Sequence, residues 1–240
     1  MKLIVCDSYD EMSKKAAEIV SDVINENPSA ILGLATGSTP EGMYKELVEA
    51  YKDGKLDFSK VSTVNLDEYV GIDPSNPQSY QSFMNENLFD RVNINKENTH
   101  LPKEIGSLEE SVKAYDKLLA EIGQRDLQLL GIGPNGHIAF NEPDEKLNMH
   151  TSIIDLKDET IEANSRFFDS KDDVPKQAMS MGMADIFNSK TLLVLASGKN
   201  KHKAVEKFMH TDKIETLFPM SFINLHPNCY LIVDKDAYQG

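Results

Sequence analysis

Short apolar runs alternate with amphipathic segments along the whole chain. The runs are of strand length and rich in Leu, Ile and Val, and they cover residues 2–6, 30–35, 61–66, 127–132, 191–196 and 230–233. Continuous apolar runs are typical of strands that are covered on both faces, as in a parallel sheet. Between them, apolar residues recur at helical spacing and predict helices over residues 8–25, 40–52, 108–122 and 201–209.

This alternation predicts βαβ units with right-handed crossovers. No repeat, low-complexity tract or linker divides the 240 residues, and the charged stretch 169–175 is too short to separate domains. We therefore expect one α/β domain over residues 1–240, with a mostly parallel central sheet and helices on both faces. In open parallel sheets, ligands bind beyond the carboxyl ends of the strands, so the residues that follow the strands are the first candidates for a site.

Composition and charge narrow the class of protein. The net charge of -14 argues against a nucleic-acid partner, which needs a basic face, but a local cluster of cations can still bind a small anion. No apolar stretch approaches the length of a membrane span, and the N-terminus lacks a signal-peptide pattern, so we expect a cytoplasmic protein without a membrane partner. The two cysteines and six histidines show no metal-ligand spacing.

The first candidate site follows the second predicted strand. Thr36, Gly37, Ser38 and Thr39 lead directly into a predicted helix. Glycine lets the backbone turn sharply, the hydroxyls can donate hydrogen bonds, and the free N–H groups of a helix start favour an anion. The segment has neither a Walker pattern nor GxGxxG, which disfavours a nucleotide. The alternative is an ordinary helix cap, because the same residue types are common there.

An acidic pair, Asp67 and Glu68, follows the third predicted strand. Adjacent carboxylates at a strand end point to different sides, so one can enter a pocket while the other packs elsewhere. A partly desolvated carboxylate has a raised pKa and can act as a general base. The alternative is that both acids simply face water.

The fourth predicted strand leads into a glycine-rich segment, residues 131–143, which contains His137 and Glu142. Glycines let the backbone approach a ligand closely, and an imidazole can exchange protons near neutral pH when a carboxylate or amide fixes its tautomer. These residue types together favour a catalytic role. The alternative is a buried structural histidine.

Two cations complete the candidate site. Arg166 stands between polar and aromatic neighbours, and its guanidinium fork suits a phosphate. Lys201 follows the strand predicted at 191–196 and is expected in the first turn of a helix, where a lysine opposes the helix dipole unless an anion is bound. The alternative for Arg166 is a surface position, and Lys199 and Lys203 are expected to be solvated.

Seven motifs that occur in order give these candidates a context. They are LGLATGSTP (32–40), NLDEYVG (65–71), SYQSFM (79–84), GHIAFNEP (136–143), NSRFF (164–168), SGKNK (197–201) and LHP (225–227). Together they resemble the glucosamine-6-phosphate deaminase (isomerase) family over essentially the whole chain. The resemblance implies a single Rossmann-like α/β domain, in agreement with the hydrophobic pattern.

The resemblance also implies a reaction and a set of roles. Glucosamine 6-phosphate and water would become fructose 6-phosphate and ammonia in amino-sugar catabolism, in an enzyme classed as a hydrolase of a C–N bond that needs no cofactor or metal. Asp67 would move a proton between C2 and C1, and His137 would open the sugar ring with help from Glu142 and Asn135. The loop from Thr36 to Thr39 would hold the phosphate together with Arg166 and Lys201.

Position 135 departs from many members of the family, which have aspartate there, although others have asparagine. An asparagine can orient an imidazole but cannot stabilise its cation as a charge does. The charge on His137 during ring opening therefore stays open at this point.

Two rival functions are weighed against the deaminase. A 6-phosphogluconolactonase-like hydrolase would share the fold, but residues 141–143 and the sequence around Asp67 favour the deaminase. A non-catalytic sugar-phosphate sensor would need a DNA-binding segment, whereas this chain starts with a strand. Some relatives are hexamers that an N-acetylated sugar phosphate activates and that have a longer C-terminus. We expect that activation to be absent here, and whether the chain is a monomer or a homo-oligomer stays open.

Overall fold

The computed structural model describes residues 1–157, 161, 168, 170 and 174–240, and ten strands lie in these ranges. They are β1 Lys2–Cys6, β2 Ile31–Leu34, β3 Ser62–Asn65, β4 Asp67–Tyr69, β5 Thr99–His100, β6 Leu127–Gly131, β7 Ser152–Asp155, β8 Gln177–Ser180, β9 Leu192–Ala196 and β10 Cys229–Asp234. Seven of them form a parallel sheet in the order β1-β10-β9-β6-β2-β3-β5. This confirms the mostly parallel α/β fold.

Helices fill the connections between the strands. They are α1 Tyr9–Glu26, α2 Ser38–Lys52, α3 Tyr80–Met84, α4 Leu108–Ile122, α5 Met183–Phe187, α6 His202–His210 and α7 Lys235–Gln239, with 3₁₀ turns at Lys96–Asn98, Lys199–Lys201 and Pro219–Leu225 and a π-helical turn at Asn85–Phe89. Ser8 caps α1, and Ser107 with Glu110 forms a capping box at the start of α4. Nowhere in the described ranges is a helix both long and apolar enough to cross a membrane.

Two helix starts differ from the sequence prediction. Helix α2 begins at Ser38 and not at residue 40, because Gly37 with φ of 95° turns the chain before the hydroxyl residues. Lys201 does not lie in the first turn of an α-helix. It ends the 3₁₀ turn Lys199–Lys201 and directly precedes α6. A tight turn of three residues carries no hydrophobic period, so the sequence pattern does not separate it from the helix that follows.

A second, antiparallel sheet was not predicted. It contains β4, β8 and β7, and Asp67 pairs with Ser180 in it. Leu66 joins the two sheets, since its N–H donates to the Leu34 carbonyl (3.2 Å) and its carbonyl accepts from the Met181 N–H (2.8 Å). These strands have three or four residues each, which is too short for a clear period.

The strand order fixes where a ligand can bind. From β2 the chain continues to β3 and β5 on one side, whereas β6 and β9 lie on the other side of β2. The direction of winding thus changes between β2 and β6, and in open α/β sheets the crevice at such a point is the usual ligand site. The segments that follow β9, β6, β2 and β3 are neighbours at this edge of the sheet.

One close approach beneath this edge depends on a glycine. Gly33 of β2 pairs with Gln128 of β6, and a Cβ on Gly33 would lie 2.0 Å from Oε1 of the Gln128 side chain. Gln128 is completely buried, and its amide donates to the Leu129 carbonyl at 3.0 Å. The glutamine side chain therefore occupies the space that a larger residue at position 33 would need.

We expect Gly33→Ala to destabilise the protein by about 1–3 kcal/mol, because the new methyl group overpacks this contact. Urea unfolding measures the change. Gly131→Ala is the matched control, since a Cβ at that strand glycine meets no atom within 4 Å. The double variant Gly33→Ala/Gln128→Ala should recover part of the loss. Equal destabilisation by the two glycine substitutions would contradict this account.

Candidate active site

A cleft of about 600 Å³ lies at the carboxyl edge of the parallel sheet. The segments after β2, β6 and β9 contribute to its walls, and the second sheet contributes Asp67 and a lysine after β7. The predicted site residues that line it are Thr36, Gly37, Ser38, Thr39, Asp67, Asn135, His137, Glu142 and Lys201. The structure thus brings together every predicted site residue that it describes. Arg166 lies outside the described residues, and its assignment stays a prediction.

The start of α2 forms one end of the cleft. Gly37 is its N-cap residue and offers no side chain to cap the helix, so the first N–H groups of the helix are left for another acceptor. The hydroxyls of Ser38 and Thr39 face the same cleft. Unpaired N–H groups, hydroxyls and the positive end of the helix dipole together suit an anion.

Two tyrosines hold this loop in place, and sequence analysis did not identify either of them. The Tyr9 hydroxyl donates to the Ser38 carbonyl (2.9 Å) and accepts from the Gly42 N–H (2.8 Å). The Tyr44 hydroxyl donates to the Ala35 carbonyl at 2.6 Å. Such contacts bridge distant turns of the chain and leave no local pattern in the sequence.

Lys201 supplies a cation to the same cleft. It is half-buried, and desolvation lowers the pKa of its ammonium group. Within the described ranges it forms no ion pair. Burying a cation without a counter-charge is unfavourable, so an anion bound in the cleft would stabilise this arrangement.

Asp67 and Glu68 point to different sides of β4, as the alternation of a strand requires. Asp67 is only 7 % exposed and lies in the cleft. Burial, with a smaller contribution from the nearby Glu68 carboxylate, raises the pKa of Asp67 to about 8. Glu68 instead accepts hydrogen bonds from the N–H groups of Tyr69, Tyr80 and Gln81 at 2.9–3.0 Å. Glu68 therefore anchors α3, and Asp67 is the carboxylate available to a ligand.

A second carboxylate lies beside the histidine. Nδ1 of His137 is 3.0 Å from Oε1 of Glu142, although the ring is not aligned for a good hydrogen bond. Burial acts to raise the pKa of Glu142, but the contacts with His137 and Asn135 and the charge of Lys157 outweigh it, so the net pKa lies below the usual value. Glu142 is thus kept as an anion next to the imidazole.

Within the described part of the chain, the side chain of Asn135 forms no hydrogen bond with the imidazole ring. Its amide donates to Oε2 of Glu142 (2.8 Å), and its carbonyl oxygen accepts from the backbone N–H of His137 (3.1 Å). Asn135 therefore positions the ring indirectly, through the carboxylate and the backbone. A donor at position 135 suits this geometry, because it pairs with an ionised Glu142.

Tight backbone geometry holds the histidine loop. A Cβ on Gly133 would lie 2.2 Å from Cε1 of His137, so this glycine provides the space in which the imidazole lies. Ala139, which lines the cleft, has φ of 52°, a left-handed conformation that non-glycine residues rarely adopt. The buried Asn141 amide donates to the carbonyls of Ile138 (3.2 Å) and Met181 (2.9 Å) and ties the turn to the second sheet.

Three further cleft residues were not predicted from the sequence. Tyr80 stacks on Phe140 with a ring distance of 6.5 Å, and both line the cleft near Asp67. Lys157 follows β7 and lies on the cleft wall close enough to lower the pKa of Glu142. Tyr80 and Phe140 lie in two of the motifs, residues 79–84 and 136–143, whereas Lys157 had no signal because β7 was not predicted.

The fold and the site define an α/β protein with a cleft at the carboxyl edge of its parallel sheet. The cleft can bind an anionic group at a helix start. It also places a buried carboxylate and a His–Glu pair beside the same ligand. The chain belongs to the family of glucosamine-6-phosphate isomerases and 6-phosphogluconolactonases, which it matches over residues 7–231.

Named relatives are similar over nearly the full length. A glucosamine-6-phosphate deaminase of Clostridium perfringens is 52% identical, with 99% of this chain and 98% of the relative covered, and one of Halothermothrix orenii is 50% identical at the same coverage. A solved structure described as a monomeric glucosamine-6-phosphate deaminase superposes with a TM-score of 0.95 at 41% identity, covering 99% and 98% of the two chains. A 6-phosphogluconolactonase of Thermotoga maritima shares the fold, with a TM-score of 0.77 at 22% identity and coverage of 98% and 99%.

The raised pKa of Asp67 links stability to pH. The folded state binds this proton more tightly than the unfolded chain does, so its contribution to stability is lost as pH rises from the ordinary aspartate pKa of 3.8 through about 8. Asp67→Asn removes the titration. We expect the free energy of unfolding of Asp67→Asn, relative to that of the wild type, to increase by roughly 2–4 kcal/mol between pH 5 and pH 8.

Denaturant unfolding at several pH values measures this difference. Asp22→Asn, at an exposed position of α1, is the matched control and should show no such growth. A stability difference between wild type and Asp67→Asn that does not change with pH would show that the carboxyl titrates as an ordinary aspartate.

Proposed function

We propose that this protein is a glucosamine-6-phosphate deaminase that isomerises its substrate and releases ammonia. The observation that carries the proposal is the position of Asp67, a buried carboxylate with a raised pKa, in the same cleft as the His137–Glu142 pair and the start of α2. Aldose–ketose isomerisation needs one base that removes a proton from carbon and returns it to the adjacent carbon. We also propose that the enzyme acts in the cytoplasm.

The phosphate of the substrate binds at the start of α2. The backbone N–H groups and hydroxyls of Ser38 and Thr39 donate to the phosphate oxygens, and Lys201 supplies the nearby positive charge. Arg166 is a further phosphate ligand in this proposal. Fixing the phosphate at this end places the sugar carbons along the cleft towards Asp67 and His137.

Ring opening is the task of the His137–Glu142 pair. The imidazole takes the proton from the C1 hydroxyl and delivers it to the ring oxygen as the C1–O5 bond breaks. Glu142, which is held as an anion, stabilises the positive charge that the imidazole carries between these transfers. Asn135 keeps Glu142 in position by its hydrogen bond of 2.8 Å.

Proton transfer between the carbons is the task of Asp67. Its carboxylate removes the proton from C2 of the open chain, which gives an enolamine, and returns that proton to C1. The resulting imine at C2 reacts with water, the C–N bond breaks, and fructose 6-phosphate and ammonia leave. Water is a reactant in the overall equation, as it is in a hydrolysis. The chemistry is nevertheless an isomerising deamination, and the class of C–N hydrolase describes only the overall equation.

The relatives favour this function over the two rivals. The full-length relatives at 50–52% identity are named as deaminases, whereas the lactonase structure at 22% identity shows the shared fold alone. A sugar-phosphate sensor would have no need for a buried carboxylate with a raised pKa beside the ligand. An enzyme uses such a group as a base.

The test is ammonia release from glucosamine 6-phosphate, measured in a coupled assay with purified protein. The wild type should release ammonia, and Asp67→Asn should lose about 10²–10⁴-fold in turnover because only the base is removed. Isothermal titration should show that the variant still binds the substrate analogue glucitol 6-phosphate. Tight binding without any turnover by the wild type would support the sensor, and lactone hydrolysis in place of ammonia release would support the lactonase.

Lys201→Ala tests the anion site. We expect KM for glucosamine 6-phosphate to rise about 10–100-fold with a smaller change in kcat, because a charge-assisted contact with the phosphate is lost. Lys203→Ala, two residues later on the exposed face of α6, is the matched control and should leave KM unchanged. An unchanged KM in Lys201→Ala would remove this lysine from the site.

A further inference from the structure

A second cavity, of about 510 Å³, lies on the other side of β4 from the active-site cleft. It is enclosed by β5, the loop that follows β5, the helix α4 and the segment after β4. Much of its wall is apolar, with contributions from Ile72, Leu101, Leu118 and Met179. The cavity is similar in volume to the cleft, yet it contains none of the residues that the proposed reaction uses.

The acceptor groups in this cavity already have partners. The Glu68 carboxylate accepts three backbone N–H groups, and Glu104 accepts the N–H of Gly71. The Ser111 hydroxyl exchanges hydrogen bonds with the backbone of Ile105 at 2.8 and 3.2 Å. These contacts shape the wall of the cavity and pair its carboxylates with backbone N–H groups.

Two nitrogen-bearing side chains of the cavity, His100 and Lys103, have no partner in the described ranges. Among the residues that the structure describes, neither the imidazole of His100 nor the ammonium of Lys103 forms a hydrogen bond or an ion pair. Both line the cavity, His100 on β5 and Lys103 in the loop that follows it. Burial, and then the charge of Lys103, lower the pKa of His100, which favours the neutral imidazole with one N–H donor. Lys103 is exposed, and the neighbouring Glu104 carboxylate pairs with the Gly71 N–H and not with this lysine. Within the described part of the chain, the imidazole N–H of His100 and the ammonium of Lys103 are therefore both without an acceptor. An anion between them would supply the missing acceptor.

We propose that this cavity is a second ligand site for a small organic anion, with its phosphate or carboxylate between His100 and Lys103 and its ring or hydrocarbon body against the apolar wall. The mixture of an apolar surface with a few convergent polar groups is typical of sites for small molecules. The inference concerns a ligand other than the substrate and does not depend on the reaction proposed above.

The position of β4 gives this second site a route to the catalytic base. Asp67 faces the cleft, whereas the next two residues of the strand, Glu68 and Tyr69, line the second cavity. Glu68 also anchors the start of α3, whose Tyr80 lines the cleft. A ligand that shifts β4 therefore changes the surroundings of Asp67. This coupling rests on the proposed function, whereas the binding itself does not.

The binding test uses phenyl phosphate, which joins an anion to a ring. Because the cleft also attracts phosphates, the titrations are made in the Lys201→Ala background, with Lys103→Gln or Lys60→Gln added. Lys60 is an exposed lysine away from both cavities and serves as the control. We expect saturable binding in Lys201→Ala, an unchanged affinity with Lys60→Gln, and a loss of at least about tenfold with Lys103→Gln. The NMR signals of the His100 ring should shift during the titration.

The outcomes separate the two proposals. No binding in Lys201→Ala, or equal affinities in the two double variants, overturns the second site. Benzoate in place of phenyl phosphate shows whether a carboxylate suffices or a phosphate is required.

The coupling is measured as the change in kcat, at saturating glucosamine 6-phosphate, when phenyl phosphate is added to the wild type or to Lys103→Gln. A change in the kcat of the wild type alone supports the coupling. Equal effects on the kcat of the two proteins, including no effect, overturn the coupling. Absence of ammonia release in every variant refutes the proposed function and leaves the binding result intact.

Discussion

The active-site geometry depends on the junction at Leu66. There the chain leaves the parallel sheet, in which the Leu66 N–H pairs with Leu34, and enters the second sheet, in which its carbonyl pairs with Met181. The change of sheet places Asp67 in the wall of the cleft and buries its side chain. Burial is the main cause of the raised pKa of Asp67. Had β3 continued in the same sheet, the carboxylate would lie within the parallel sheet and not in the cleft at its carboxyl edge.

Burial acts to raise the pKa of both carboxylates in the cleft, and their net pKa values differ because of their partners. Burial, with a smaller contribution from the Glu68 carboxylate, raises the pKa of Asp67. Glu142 has a histidine, an amide and a lysine nearby that outweigh its burial, and its net pKa falls. Lys201 is half-buried with its pKa lowered. Two carboxylates in one cleft thus differ in proton affinity, one with a raised and one with a lowered pKa, which supports the different tasks that the proposed function gives them.

The glycine-rich loop after β6 shows how the backbone supports this electrostatic arrangement. Gly133 makes room for the His137 ring, Asn135 holds Glu142, and Asn141 fastens the turn to the second sheet. The left-handed conformation of Ala139 is part of the same turn. The ring and the Glu142 carboxylate are consequently placed by contacts from several directions.

The sequence by itself determined six of the seven parallel strands, the main helices and nine of the residues that line the cleft, because apolar runs, helical spacing and the ends of strands are local features. Only the tertiary structure decided that Asp67 lies in the cleft while Glu68 accepts backbone N–H groups, that Asn135 hydrogen-bonds to Glu142, and that Lys157 and Tyr80 line the same cleft. It alone revealed the second sheet, whose strands of three or four residues acquire their structure from pairing with distant segments. Pairing of this kind depends on contacts between residues far apart in the chain, and no local pattern records them.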